Sequence, residues 1–126
     1  MSIPTDRKYT RDHEWLKIDG ATGRVGLTDY AAQALGDVVY VDLPDVGAEI
    51  TAGMQCGEIE STKSVSDLVA PASGRVSGTN ADVIDAPERV NADPYGDGWL
   101  YEVEVKAEGD LLSPEEYRDL LESQDA

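Results

Sequence analysis

Short runs of β-branched and aromatic residues, each cut off by glycine, proline or a capped turn, fill the chain from Tyr9 to Val105. Tyr9 to Leu16 opens with a strand pattern, and Ile18 carries it on to the turn Asp19-Gly20-Ala21-Thr22-Gly23. Arg24-Val25-Gly26-Leu27 then completes a hairpin. Thr28 is placed to cap a short helix, Asp29 to Leu35, that Gly36 ends. Val38 to Leu43 is a β-branched run stopped by Pro44. Gln55 to Ser61 and Ser64 to Val69 are two strands joined at the tight connection Thr62-Lys63. Another strand starts at Gly74-Arg75-Val76-Ser77, and Asn80 to Ala86 forms a capped turn or short helix before Pro87. Trp99 to Val105 alternates strongly, so one of its faces is buried. Near the end the pattern changes: Ser113-Pro114-Glu115-Glu116 is a capping box that starts a helix through Tyr117, Leu120 and Leu121. Strands this short, with helices only at their margins, predict a mainly β fold, a β-sandwich with short helices in the N-terminal part and a C-terminal helix.

At 126 residues the chain is expected to be a single domain, 1–126. No apolar run approaches the roughly 18 residues of a membrane helix, and no N-terminal segment resembles a signal peptide, so a cytoplasmic protein is expected. The lone cysteine, Cys56, has no internal disulfide partner, which agrees with a reducing compartment. Charge is the strongest compositional signal, with 26 Asp and Glu against 10 Lys and Arg and a formal net of −16. Such a surface repels nucleic-acid phosphates and anionic membranes alike. Two physical readings of the acidity compete: steering toward basic partners, or adaptation to high salt in a halophilic source.

No catalytic machinery is visible. The single histidine, His13, has no nucleophile signature to serve and is expected to be a structural hydrogen-bonding side chain beside Trp15. C-x-x-C and histidine-rich metal spacings are absent, as is the G-x-x-x-x-G-K phosphate loop. Lys63 stands out instead. It occupies the middle of Gly57-Glu58-Ile59-Glu60-Ser61-Thr62-Lys63-Ser64-Val65-Ser66-Asp67-Leu68-Val69-Ala70-Pro71, at a hairpin tip whose strands hold its Cα and present its side chain to solvent. Gly53 lies ten residues before it and Gly74 eleven after, nearly symmetric turn formers. Ser61, Thr62 and Ser64 are small enough to leave the ammonium open to an enclosing enzyme, and Glu60 lies on the same hairpin as a recognition charge.

This segment resembles the lipoyl attachment motif of the glycine cleavage H-protein family. Further blocks resemble it in order: Tyr9-Thr10-Arg11-Asp12-His13-Glu14-Trp15, Val25 to Ala31, Leu35 to Pro44, Val90 to Leu100, and Glu116-Tyr117 in the final helix, covering roughly residues 9 to 121. The resemblance implies the lipoyl- and biotinyl-carrier (hammerhead) sandwich, with a lipoyl-binding core about 22–104 and a helix about 114–123. It implies a non-catalytic carrier with lipoate joined to Lys63 as an amide. In the family, glycine decarboxylase (pyridoxal phosphate) loads an aminomethyl group, an aminomethyltransferase (tetrahydrofolate) unloads it, and dihydrolipoyl dehydrogenase (FAD, NAD) reoxidises the dithiol. A lipoylating enzyme completes the partners, and the carrier is expected to be a monomer. Glu14, in the opening block, and Asp67, four residues past Lys63, are implied as acids that shelter a cationic cargo.

Two departures stand out. The family's usual Val and Ala around the lysine are Thr62 and Ser64, which bears on recognition by the lipoylating enzyme. A histidine that some members carry in the first helix is Ala34, so any contact through that imidazole is lost or replaced. A biotinyl carrier is the nearest rival, but it usually flanks its lysine with methionines. A lipoyl module of another complex would be shorter and tethered by a flexible linker. A lipoate-relay protein is a further alternative.

Overall fold

A computed structural model describes residues 3–125. Lys8–Tyr9 (β1), Glu14–Asp19 (β2) and Thr22–Leu27 (β3) form consecutive antiparallel pairs. The strand expected from Tyr9 to Leu16 is therefore two strands. The Thr10 hydroxyl accepts from the backbone of both Asp12 and Glu14 at 3.2 Å, folding a turn in which His13 adopts a φ of 67°. Side-chain capping of that kind competes with strand extension, and here it reverses the chain so that Tyr9 pairs with Trp15. Asp29–Leu35 (α1) begins where the Thr28 hydroxyl accepts from Ala31 N at 3.2 Å and ends at Gly36 with a φ of 78°, as the sequence predicts.

Val38–Asp42 (β4), Glu49–Ile50 (β5), Gln55–Ser61 (β6), Val65–Val69 (β7) and Ala72–Thr79 (β8) follow. Ala81–Asp85 (α2) is capped by Asn80, Arg89–Ala92 (α3) is one turn, Tyr101–Glu108 (β9) is the last strand and Pro114–Asp125 (α4) closes the chain. The capping box of α4 is formed in both directions: Ser113 N donates to Glu116 Oε1 at 2.9 Å, and Glu116 N donates to Ser113 Oγ at 3.1 Å.

Two sheets result. One has six strands in the order β1-β2-β3-β9-β8-β5, and the other three in the order β4-β6-β7. The larger sheet takes in β1 and β2, upstream of residue 22. Leu16, Val25, Val76 and Val103 from one sheet and Val41, Ile59 and Leu68 from the other share the main core. Because side chains alternate across a strand, Trp15 faces the opposite way from Leu16. It is nonetheless buried, beside Tyr9, Tyr117 and Leu121, because α4 covers that face; Tyr9 and Tyr117 stack at 4.6 Å.

Candidate functional site

The tip between β6 and β7 is held by a small hydrogen-bonded knot. Ser61 N donates to Ser64 O at 2.8 Å, while the Ser61 hydroxyl accepts from Lys63 N at 3.3 Å and Ser64 N at 3.1 Å. Thr62 N donates to Asp37 O at 3.0 Å, fastening the tip to the joint between α1 and β4. Ser61 is thus buried structure, whereas Thr62, Lys63 and Ser64 are exposed. The ammonium of Lys63 is free of ion pairs among the described residues.

The stem of Lys63 crosses Gly36. A Cβ there would sit 3.2 Å from Lys63 Cε and 3.8 Å from Nζ. Glycine at this position both ends α1 in the left-handed region and leaves a bed for the lysine stem. Asn91 secures the same corner: its amide donates to Gly36 O at 2.7 Å and accepts from Val38 N at 2.9 Å. The spacing shows Gly36 as the helix end but not as the bed for the lysine stem, and it shows nothing of Asn91's part, although both lie in blocks that carry the family resemblance. A half-buried amide fastening two backbone segments 53 and 55 residues away leaves no local pattern.

Beside the tip runs a groove of about 280 Å³. Tyr30, Ala31, Ala34 and Leu35 of α1 form one wall, Ser64 to Asp67 the other, and Leu27 and Ile59 the floor; Asp12 and His13 close the far end. Ala34 stands in the wall, where its methyl group leaves the groove open. His13 is held by Tyr117, whose hydroxyl lies 2.9 Å from His13 Nδ1 and 2.8 Å from Thr28 Oγ1, and its ring lies 4.5 Å from Tyr30. Burial pushes its pKa down, favouring the neutral ring. Its partner is therefore Tyr117, while the Trp15 indole donates to Pro94 O at 3.0 Å.

The sequence-predicted residues separate into three places. Lys63 and Asp67 share the hairpin and groove, and Asp67 accepts from Gln55 Nε2 at 3.0 Å. Glu60 is exposed on β6, paired across the sheet with Val65 and Tyr40. Glu14 is not in the groove lining. It is 1% exposed, and its Oε2 accepts from Val69 N at 2.8 Å, tying β2 to the end of β7. Its other oxygen, Oε1, is buried with no hydrogen-bond partner. Burial pushes this carboxyl up to about 8, more than the Val69 bond lowers it. A neutral acid at the junction of the two sheets is the result near neutral pH.

An exposed lysine on a rigid tip, beside a half-apolar groove, has the form of an attachment point rather than a catalytic centre. A covalent lipoyl group fits these residues: the amine is accessible, its neighbours are small, and the groove is open where its first atoms would lie. Comparison with known proteins agrees. The family model for the glycine cleavage H-protein matches residues 7–124. A glycine cleavage system H protein of Beutenbergia cavernae is 59% identical over 117 residues, 93% of this chain and 94% of its own length. A probable glycine cleavage system H protein of Haloarcula marismortui is 51% identical over 125 residues, 97% of this chain and 98% of its own. The crystal structure of a glycine cleavage system H protein from Mycobacterium marinum superposes with a TM-score of 0.89 at 48% identity, covering 98% of this chain and all of that one. With sandwich, tip lysine and near full-length similarity in agreement, the chain belongs to the glycine cleavage H-protein family, the non-catalytic carriers of that system.

Proposed function

We propose that Lys63 is the single lipoylation site and that the chain serves glycine decarboxylase, the aminomethyltransferase and dihydrolipoyl dehydrogenase in turn, as a cytoplasmic monomer. The observation that carries this reading is the tip itself: Lys63 is the only base on the strands and turn of the three-stranded sheet, it is exposed, and the knot around Ser61 fixes its backbone. When bound, lipoate supplies a dithiolane able to accept an aminomethyl group and two electrons.

The chain's own residues do the rest. Amide formation at Nζ removes the charge of Lys63, and the stem and lipoyl chain together span about eleven bonds, on the order of 14 Å extended at ~1.25 Å per bond. That reach lets a partner enclose the reactive end while the sandwich stays outside. Tyr30, Leu35 and Ile59 give the groove apolar surface that keeps water from whatever lies in it. A cationic cargo there needs a counter-charge, because burying a cation unpaired is costly. Asp67 lies on the groove edge and suits that role, whereas Glu14, outside the groove lining and neutral near neutral pH, offers an unpartnered oxygen rather than a charge. Glu60, beside the tip on the outer face, is placed for recognition by the lipoylating enzyme.

Intact-mass measurement of protein from its native host tests the reading directly. One lipoyl increment is expected, located on the Lys63 peptide and absent from Lys8, Lys17 and Lys106. Lys63→Arg should fold with an unchanged melting temperature and lose glycine-dependent CO2 exchange altogether. Exchange that survives in this variant overturns the assignment.

A further inference from the structure

One side chain from outside both sheets grips the segment on which the tip rests. Asn91 lies half-buried in α3, a single turn that the fully buried Val90 anchors in the main core. Its amide donates to Gly36 O at 2.7 Å, a carbonyl at the end of α1 that has no helical partner, and its Oδ1 accepts from Val38 N at 2.9 Å. A longer contact of 3.4 Å reaches Ala32 O in the last turn of α1. Residues 36 and 38 are both clamped in this way, and Asp37 is held between them.

Lys63 depends on the same short segment twice. Asp37 O accepts from Thr62 N at 3.0 Å, so the backbone just before the lysine is tied to the middle of the clamp. Gly36 is the bed of the stem, with Lys63 Cε 3.2 Å from where a Cβ would stand. The knot around Ser61 closes the turn on itself, whereas the Thr62 bond sets the tip against α1. A lysine stem is rich in rotamers, and laying it on a fixed bed removes part of that freedom before an enzyme arrives.

We infer that Asn91 is a positioning residue for the modification of Lys63: by holding Gly36 and Val38 it sets the direction in which the Lys63 amine is offered to the lipoylating enzyme. The inference rests on the reading of Lys63 as the arm-bearing residue. In the step concerned, the ammonium gives up a proton and the amine lone pair attacks the carbonyl carbon of a lipoyl adenylate. The C–N bond forms as the C–O bond to the nucleotide phosphate breaks. AMP leaves with that bonding pair, and the nitrogen sheds its second proton to solvent. Such an attack needs the nitrogen on a defined line to the carbonyl, so a tip that tilts slows the chemical step more than it weakens binding. Asn91 touches neither the amine nor the adenylate; it acts through Gly36, Asp37 and Thr62.

A second asparagine supplies the control. Asn80 is bonded equally well, its Nδ2 donating to Asp97 O at 2.9 Å and Trp99 O at 2.7 Å and its Oδ1 accepting from Asp82 N at 3.1 Å, yet none of these partners belongs to the tip or its bed. The full-length, unloaded chain is offered to the lipoylating enzyme with lipoyl adenylate, well below the melting temperature of every variant. Asn91→Ala should lower kcat on the order of tenfold and leave KM within about twofold. Exchange of the Thr62 amide should quicken on the order of tenfold as its bond to Asp37 loosens. Asn80→Ala should keep kcat and KM within about twofold of wild type and leave Thr62 exchange unchanged, because distant sites act independently. Asn91→Asp keeps the acceptor for Val38 N and loses the donor to Gly36 O. It should fall between wild type and Asn91→Ala, and it carries the test if Asn91→Ala does not fold. No slowing by the Asn91 variants, slowing carried by KM alone, or equal slowing by Asn80→Ala overturns the proposal. A wild type that gains no lipoyl mass on its Lys63 peptide fails the earlier reading and this one together, so the wild-type control separates that failure from the failure of Asn91 alone.

Discussion

The two sheets of this sandwich divide its work. The six-stranded sheet is the better covered: the main core covers one face, α4 covers Tyr9 and Trp15 at one end of the other, and ion pairs join its strands. The three-stranded sheet is buried on its inner face only. Its outer face keeps Tyr40, Val65 and a row of carboxylates in solvent, and β7 is an edge strand. A carrier needs both conditions. The arm-bearing lysine must not move relative to its groove, so something must be rigid. It must also be gripped by several different partners, so something must remain unsatisfied until they arrive. The unsatisfied groups sit on the smaller sheet, where the local cost is least able to unfold the whole.

The strongest way to break that comparison is to damage each sheet equivalently. Gly74 in β8 approaches β9 so closely that a Cβ would lie 2.0 Å from Glu104 O, and at Gly57 in β6 one would lie 2.2 Å from Asp42 O of β4. Both clashes are with backbone, so neither is relieved by turning a side chain. Gly74→Ala should cost on the order of 4 kcal/mol in global stability, because it separates β8 from β9, which are paired along almost their whole length in the larger sheet. Gly57→Ala should cost about 2 kcal/mol, with loss of amide protection confined to β4, β6 and β7. Thermal melts with hydrogen exchange decide this. Equal global losses would mean that the sheets form one cooperative unit and that the division is only chemical.

Glu14 sharpens the comparison because it joins the two sheets. Its folded-state pKa of about 8 lies above the ordinary 4.5. Between those values the folded protein holds a proton that the unfolded chain has released. Stability from this group is therefore complete below about pH 4.5, falls as pH rises through the window, and is gone above about pH 8. Glu14→Gln keeps an acceptor for Val69 N and cannot ionise. It should flatten the pH dependence and be more stable than wild type at pH 9 by an amount on the order of 3 kcal/mol. Urea titrations across this range are the measurement, and a wild type as pH-insensitive as the variant would remove Glu14 from the joint. The same substitution tests the sheltering expected of Glu14: equal formaldehyde release from loaded wild type and loaded Glu14→Gln excludes it.

Much of this architecture was legible in sequence where the determinants are local. Thr28, Gly36, Asn80 and Ser113 cap their helices through bonds spanning a few residues, and each was found by its spacing. The hairpin around Lys63 was equally plain, since both strands and their turn lie within 15 residues, Gln55 to Val69. What stayed hidden depends on distant partners. The two-residue strand β5 exists only because Glu49 and Ile50 meet Arg75 and Gly74. Asp42, Glu58 and Asp67 form a row only after three separate strands are put in register. Glu14 is instructive because period-two alternation with the core residue Leu16 already points it inward. The sequence reading expects this acid to shelter a cationic cargo, whereas its Val69 bond and the covering strands enclose it.

Salt offers the smallest effect and the finest test, because the two sheets should respond with opposite signs. Screening weakens attraction and repulsion alike, and it acts most on exposed charges. On the six-stranded sheet many of the exposed charges are paired, as in Lys8 with Glu108 at 3.0 Å and Lys106 with Glu49 at 3.5 Å. Such surface pairs are worth a few tenths of a kcal/mol to about 1 kcal/mol each, so potassium chloride should slightly lower amide protection there. On β4, β6 and β7 the exposed charges are unpaired acids set opposite one another, and the same salt should raise protection by about 1 kcal/mol. The formal −16 adds a global repulsion that screening also relieves. Exchange rates measured residue by residue from low to molar potassium chloride separate these contributions. A uniform gain over both sheets would assign the acidity to adaptation of the whole protein to salt. A gain concentrated on the three-stranded sheet, with a flat or falling response on the other, would tie it to the face that surrounds Lys63.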